Sequence, residues 1–174
     1  MKRIILVRAV NVGGCKLPMA EFREIAASLG AKDVVTYIAS GNLVADVPGD
    51  PGEFDRALEK ALTDRFGWSR EVISRSPDEV VAALEAHPFE ASQPKFSYVS
   101  FMLTAPTAEA IEAARAVPTG DDQWDVIGRE LHLRYANGAG RAELKDAQLH
   151  RALGKIPTTA RNLLTVQKLI ELST

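Results

Sequence analysis

An α+β fold made of split β-α-β units is the architecture this sequence predicts, and three observations carry the reading. Short β-branched or alternating segments and longer segments of helical period follow one another as β-α-β-β-α-β through the first half of the chain. Their boundaries are marked by glycine pairs, by prolines at helix starts and by a Ser-Gly-Asn turn. After residue 95 the order of elements partly repeats.

Residues 2–7 form the first strand, and the unbroken apolar run Ile4-Ile5-Leu6-Val7 reads as buried. Asn11-Val12-Gly13-Gly14 ends it, because paired glycines reach backbone angles that other residues avoid. A helix opens at Pro18, repeats Met19, Phe22, Ile25, Ala26 and Leu29 on one face, and stops at Gly30. Residues 34–38 and 43–47 pair as strands about Ser40-Gly41-Asn42, read as a tight hairpin. Phe54, Ala57, Leu58, Ala61, Leu62 and Phe66 mark a second helix that ends at Gly67, and residues 71–74 form a short strand. Ser76-Pro77-Asp78-Glu79 combines an N-cap, a proline in the first turn and early acids, and starts a third helix that His87-Pro88 closes.

This order is the split β-α-β arrangement of a ferredoxin-like sandwich. Residues 88–95 read as a linker. Beyond it come a strand at 96–103, a helix at 107–116, two strands near 124–127 and 131–135 about Gly128-Arg129-Glu130, and a helix around 144–153. Thr158 or Thr159 is read as the cap of a final helix that buries Leu163, Val166, Leu169 and Ile170. The predicted fold is therefore a ferredoxin-like α+β module over residues 1–90, followed by a partly similar α+β module with C-terminal helices over residues 91–174.

Composition narrows the function classes. The 174 residues are 46% hydrophobic and 25% charged, which suits a globular chain. One cysteine, Cys15, excludes an internal disulfide framework and predicts a soluble protein of a reducing, cytoplasmic compartment. The apolar run at the start is too short for a membrane span. A net charge of −2 gives no general attraction to nucleic acid, although residues 129–174 carry 8 Lys and Arg against 4 Asp and Glu. Trp68 and Trp124 have no interleaved basic residues and read as packing anchors rather than base-stacking platforms.

The right-handed crossover puts the Asn11-Val12-Gly13-Gly14 and Ser40-Gly41-Asn42 turns at one end of the sheet, where Gly67-Trp68-Ser69 also arrives. With Arg8 close by, this rim suits a carboxylate or a phosphate. Arg161, read at the start of the last helix, is a cation where the helix dipole disfavours one, so it either pairs with a carboxylate or points at the same anion. The candidate ligand-binding residues are Arg8, Asn11, Gly13, Gly14, Ser40, Gly41, Asn42, Arg161 and Asn162. No nucleotide fingerprint, nucleophile elbow or Cys-x-x-Cys site is present, His87, His132 and His150 stand isolated, and no metal or cofactor is indicated. Cys15 lacks an identifiable histidine partner.

Three stretches, Arg8-Ala9-Val10-Asn11-Val12-Gly13-Gly14, Pro18-Met19-Ala20-Glu21-Phe22-Arg23 and Val35-Thr36-Tyr37-Ile38-Ala39-Ser40-Gly41-Asn42, resemble domain of unknown function 1697. The ending, with Thr159-Ala160-Arg161-Asn162, Thr165-Val166 and Lys168-Leu169, is similar to that family's terminal motif. The departures are Ala9-Val10 where the family usually has Gly-Ile, Ala39 in place of Gln, and Leu163 in place of Trp. The resemblance implies a cytoplasmic α+β protein and supplies no reaction, cofactor or catalytic residue. The leading expectation is a binding module for a small anion such as a nucleotide or a phosphorylated metabolite. A nucleic-acid-associated protein and an enzyme without a recognisable motif are the alternatives, and exposed sheet edges would support self-association.

Overall fold

The computed structural model describes all 174 residues and contains two four-stranded antiparallel sheets. The chain divides into two compact units, one formed by Met1–Ala82 with Gln167–Thr174 and the other by Ala83–Val166. No helix is long and apolar enough to cross a membrane.

In the first unit, β1 (Lys2–Val7), α1 (Met19–Ser28), β2 (Lys32–Thr36), β3 (Asn42–Asp46), α2 (Pro51–Phe66) and β4 (Val72–Arg75) are followed by α3 (Pro77–Glu85). The sheet order β2-β3-β1-β4 is the ferredoxin-like arrangement. Ile5, Val7, Leu43 and Ala45 alternate onto the helix-covered face and meet Phe22, Ile25, Leu58 and Leu62. Ile4 and Leu6, on the opposite face, are buried as well, which is why β1 is an unbroken apolar run.

Local chemistry fixes the helix ends. Asp50 accepts a hydrogen bond from the Glu53 N–H at 2.9 Å, Pro51 opens α2, and Gly67 closes it with φ 80°. Ser76 and Glu79 form a reciprocal capping box at α3, each side chain accepting the other's backbone N–H. The edge of β4 is closed by α2: the Glu59 carboxylate accepts the Val72 N–H at 2.8 Å and Arg56 donates to the Val72 carbonyl at 2.5 Å.

The connection between β2 and β3 differs from the tight hairpin expected. It takes residues 37–41, with Ile38 in the left-handed region at φ 47°, and Asn42 donates back to the Tyr37 carbonyl and to Ser40 Oγ. β2 also begins earlier than its β-branched run, at Lys32, through an irregularity that places Asp33 at φ 52°.

The second unit contains β5 (Ser97–Met102), α4 (Ala108–Ala114), β6 (Gln123–Ile127), β7 (Glu130–Arg134), α5 (Asp146–Ala152) and β8 (Thr158–Asn162), with α6 (Leu163–Leu172) following. Its order, β6-β7-β5-β8, repeats that of the first sheet. The repeat is complete because Thr158–Asn162 is a strand rather than the opening of the last helix. Thr and Asn before an apolar periodic run signal a cap, but threonine is also β-branched, and pairing with β5 decides the matter. The cap is Asn162, whose side chain accepts the Thr165 N–H at 2.9 Å. Asp122 organises the loop ahead of α5 by accepting the N–H groups of Ala136, Glu143 and Leu144 at 2.7 to 2.9 Å.

Candidate functional site

β1 ends where β3 and β4 begin, since both are antiparallel to it, so the loops around residues 8–17, 37–41 and 67–71 share one rim of the first sheet. Backbone bonds seal it: Val7 N–H to the Gly41 carbonyl and Arg8 N–H to the Glu71 carbonyl, both at 3.0 Å. Arg8 turns its guanidinium to Glu71 in a two-nitrogen contact. That hydrogen bond holds the Glu71 carboxyl below the usual carboxylate range. Arg8 is thus a paired cation.

Asn11 clamps the glycine loop. Its side chain accepts the Leu17 N–H at 2.8 Å and donates to the carbonyls of Leu17 at 3.0 Å and Ala39 at 2.5 Å. Ala9 (φ 53°) and Ile38 (φ 47°) take left-handed angles that cost an ordinary side chain free energy, so the rim backbone is strained on both loops. Gly41 is required: a Cβ there would stand 2.8 Å from Val10 and 3.0 Å from the Val7 carbonyl. Gly13 and Gly14 instead face open space. Val12 and Ile38 form apolar tips, 61% and 52% exposed. Trp68 stacks on Phe66 with ring centroids 5.5 Å apart and donates to the Lys16 carbonyl at 3.2 Å, tying the third loop to the first.

Beside this rim lies a concavity of about 400 Å³ lined by Arg56, Glu59, Lys60, Thr63, Asp64, Ser69, Arg70 and Glu71. Most of its charges are matched. Arg56 meets Glu59 at 3.0 Å, Lys60 meets Asp64 at 2.7 Å, and Glu71 meets Arg8. Arg70 is the exception, because its guanidinium donates only to backbone carbonyls, Ser69 at 3.2 Å and Ala9 at 3.5 Å. Arg70 directly follows the Gly67-Trp68-Ser69 loop that the sequence places at the rim. The spacing of Arg56, Glu59, Lys60 and Thr63 on one face of α2 was the other available signal.

The remaining candidates lie in the second unit. Arg161 is a buried residue of β8 and donates to Thr159 Oγ1 at 2.6 Å and to the Ala160 carbonyl at 2.8 Å. It sits in a strand, so no opposed helix dipole remains to be explained, and burial brings its pKa down to about 10. Asn162 caps α6. Cys15 lies in the glycine loop ahead of α1, its carbonyl accepting the Asn11 N–H at 2.7 Å.

Two histidines that look isolated in sequence are in contact. His87 and His132 face each other through their Nδ1 atoms at 2.9 Å. No group of three or more metal-ligating side chains converges anywhere in the structure.

Among solved structures, the conserved bacterial protein SP0830 from Streptococcus pneumoniae superposes with a TM-score of 0.74 at 19% identity, covering 99% of this chain and 98% of that one. At that identity the likeness shows a shared fold. No curated protein matches the chain. Among protein families, the model described as a protein of unknown function, DUF1697, matches residues 1–132.

Proposed function

Since the chain belongs to the DUF1697 family, whose function is unassigned, we propose that its first unit binds a small anion, such as a nucleotide or a phosphorylated metabolite, in the concavity beside the glycine-bearing rim. The observation that carries this reading is Arg70, a guanidinium at the concavity that hydrogen-bonds only backbone carbonyls and whose charge reaches Glu71 without a direct bond. Arginine presents a fork of donors that fits carboxylate and phosphate oxygens in pairs. A volume of about 400 Å³ falls within the range of small-molecule sites.

The surroundings supply the rest. Ser69 and Thr63 add hydroxyls at the lining, Arg56 and Lys60 add positive charge already balanced by neighbours, and Arg8 pairs with the Glu71 carboxylate that also lines the concavity. Asn11 and Gly41 hold the two adjoining loops in one shape before any ligand arrives, which lowers the ordering cost of binding.

The test is thermal stability of the whole chain against nucleotides, sugar phosphates and small carboxylates. A ligand at a hundred times its dissociation constant stabilises the folded state by about 2.7 kcal/mol. The expected result is a shift for one anion class that disappears in Arg70→Ala while the unliganded midpoint stays within a degree or two. No shift with any compound, or a shift that Arg70→Ala retains, overturns the proposal.

A further inference from the structure

His87 follows α3, and His132 lies in the middle of β7 with no exposed surface. Two neutral imidazoles 2.9 Å apart at Nδ1 share a hydrogen bond only if one Nδ1 carries the proton and the other a lone pair. The rings therefore hold opposite tautomers, one with a bare Nε2 and one with Nε2–H, and both Nε2 atoms are buried without a partner. Phe89 packs edge-on against His87 at 5.6 Å.

Of the groups around the pair, Asp125 favours charge on His132, but burial outweighs it. Asp125 stands opposite His132 in the β6 register, but its carboxylate is engaged by Arg115 at 2.8 Å and by its own neighbour's N–H. Val99 stands opposite on β5, and beyond it on β8 the row ends in the buried cation Arg161. Glu130 and Arg134 flank His132 on the same face of β7. A first proton, taken by the bare Nε2, leaves the Nδ1–H···Nδ1 bond in place, and only a second proton sets N–H against N–H and breaks the contact.

The segment that carries His87 has few other anchors. Beyond the histidine pair, the polar attachment of residues 88–93 to the sheet is Glu90 with Arg134 at 4.0 Å, a partly exposed contact of the weak kind. Its remaining hydrogen bonds are local, Ser92 to Glu90 and Phe96 to Gln93.

We propose that the His87–His132 pair is a proton-operated latch that holds residues 88–93 against β7 and lets them go when the rings are charged. Burial lowers the pKa of both rings, that of His132 to about 4, so release belongs to the window between the ordinary histidine value and that figure.

Two measurements on the full chain test it. In a 15N-labelled sample at pH 7.5, a scalar coupling between the two Nδ1 atoms is expected. Backbone order parameters of Phe89 to Gln93 should then fall from about 0.85, the rigid value, to below about 0.6 between pH 6.5 and 4, in step with protonation of the two rings. His87→Phe keeps a ring beside Phe89 and leaves β7 untouched, and it should make those order parameters independent of pH. Protonation of both rings with unchanged order parameters overturns the latch, as does an acid loosening that persists in His87→Phe. Should that variant fail to fold, the wild-type coupling and order-parameter titration decide alone.

Discussion

The two units have the same strand order, yet each handles buried polar groups differently. In the first, Asp55 on α2 accepts from Ser74 Oγ at 2.7 Å, and Arg3 donates to that hydroxyl at 2.9 Å, so the buried Ser74 hydroxyl is bonded both as donor and as acceptor. The second holds a histidine pair with two unpartnered Nε2 atoms, and the Ser97 hydroxyl on the same sheet is unpartnered as well. One backbone plan thus tolerates opposite polar designs. The plan is set by apolar alternation and turn residues, while the polar atoms are free to specialise.

The largest expected effect contrasts the two side chains that clamp loops. Asp122 is buried and accepts three backbone N–H groups. Asp122→Ala leaves those donors without a partner and should cost about 3 to 5 kcal/mol. Asn11 also makes three loop contacts but lies exposed, where water replaces what is lost. Asn11→Ala should cost about 1 kcal/mol. Chemical denaturation of both variants checks the ranking, and equal losses would break the comparison.

Next comes acid and base dependence, where the units should oppose each other. Burial raises the Asp55 carboxyl to about 6, above its ordinary value of 3.8. Its contribution to stability is therefore full below 3.8 and lost as pH rises through 6. Burial lowers His132 to about 4 from 6.5, so its contribution is full above 6.5 and lost as pH falls through 4. Each amounts to at most about 3 kcal/mol. Between pH 4 and 6, amide protection should fall with rising pH around Ser74 and rise around His132. Asp55→Asn, which keeps an acceptor for Ser74, should remove the first slope and leave the second.

These polar devices were the least legible part of the sequence. Helices and strands of the first unit could be read because Pro51, Gly67, Pro77 and the apolar runs act locally. β8 was hidden because Thr158 to Asn162 satisfies cap and strand rules equally, and only pairing with β5 separates them. The rim was legible as a meeting of loops, since antiparallel order dictates it. Its electrostatics were not: Arg8 finds its neutralising partner 63 residues away in Glu71, and His87 meets His132 across 45 residues. Contacts at such separations leave no spacing pattern.

A smaller effect separates the two hairpin glycines. Gly41 and Gly128 both have positive φ, 85° and 62°. A Cβ at Gly41 would strike Val10 and the Val7 carbonyl, whereas at Gly128 the nearest atom is a Glu130 oxygen 3.9 Å away. Gly128→Ala should cost about 1 kcal/mol, for the backbone angle alone, and Gly41→Ala about 2 to 3 kcal/mol once the clash is added. Thermal melts of the two variants resolve the difference.

The smallest stability effect is the most informative about function. Glu71 pairs with Arg8 at the first unit's rim as Asp125 pairs with Arg115 in the second, and all four side chains are partly exposed. Exposed pairs contribute little, so Glu71→Gln and Asp125→Asn should each change stability by less than about 1 kcal/mol. Their effects on binding should diverge. Glu71→Gln removes a negative charge from the concavity and frees Arg8 beside Arg70, so anion affinity measured by titration calorimetry should rise several-fold and fall with added salt. Asp125→Asn touches no part of that concavity and should leave affinity unchanged. Equal responses would mean that the bound anion senses only net charge, and that the rim of the first unit holds no particular site for it.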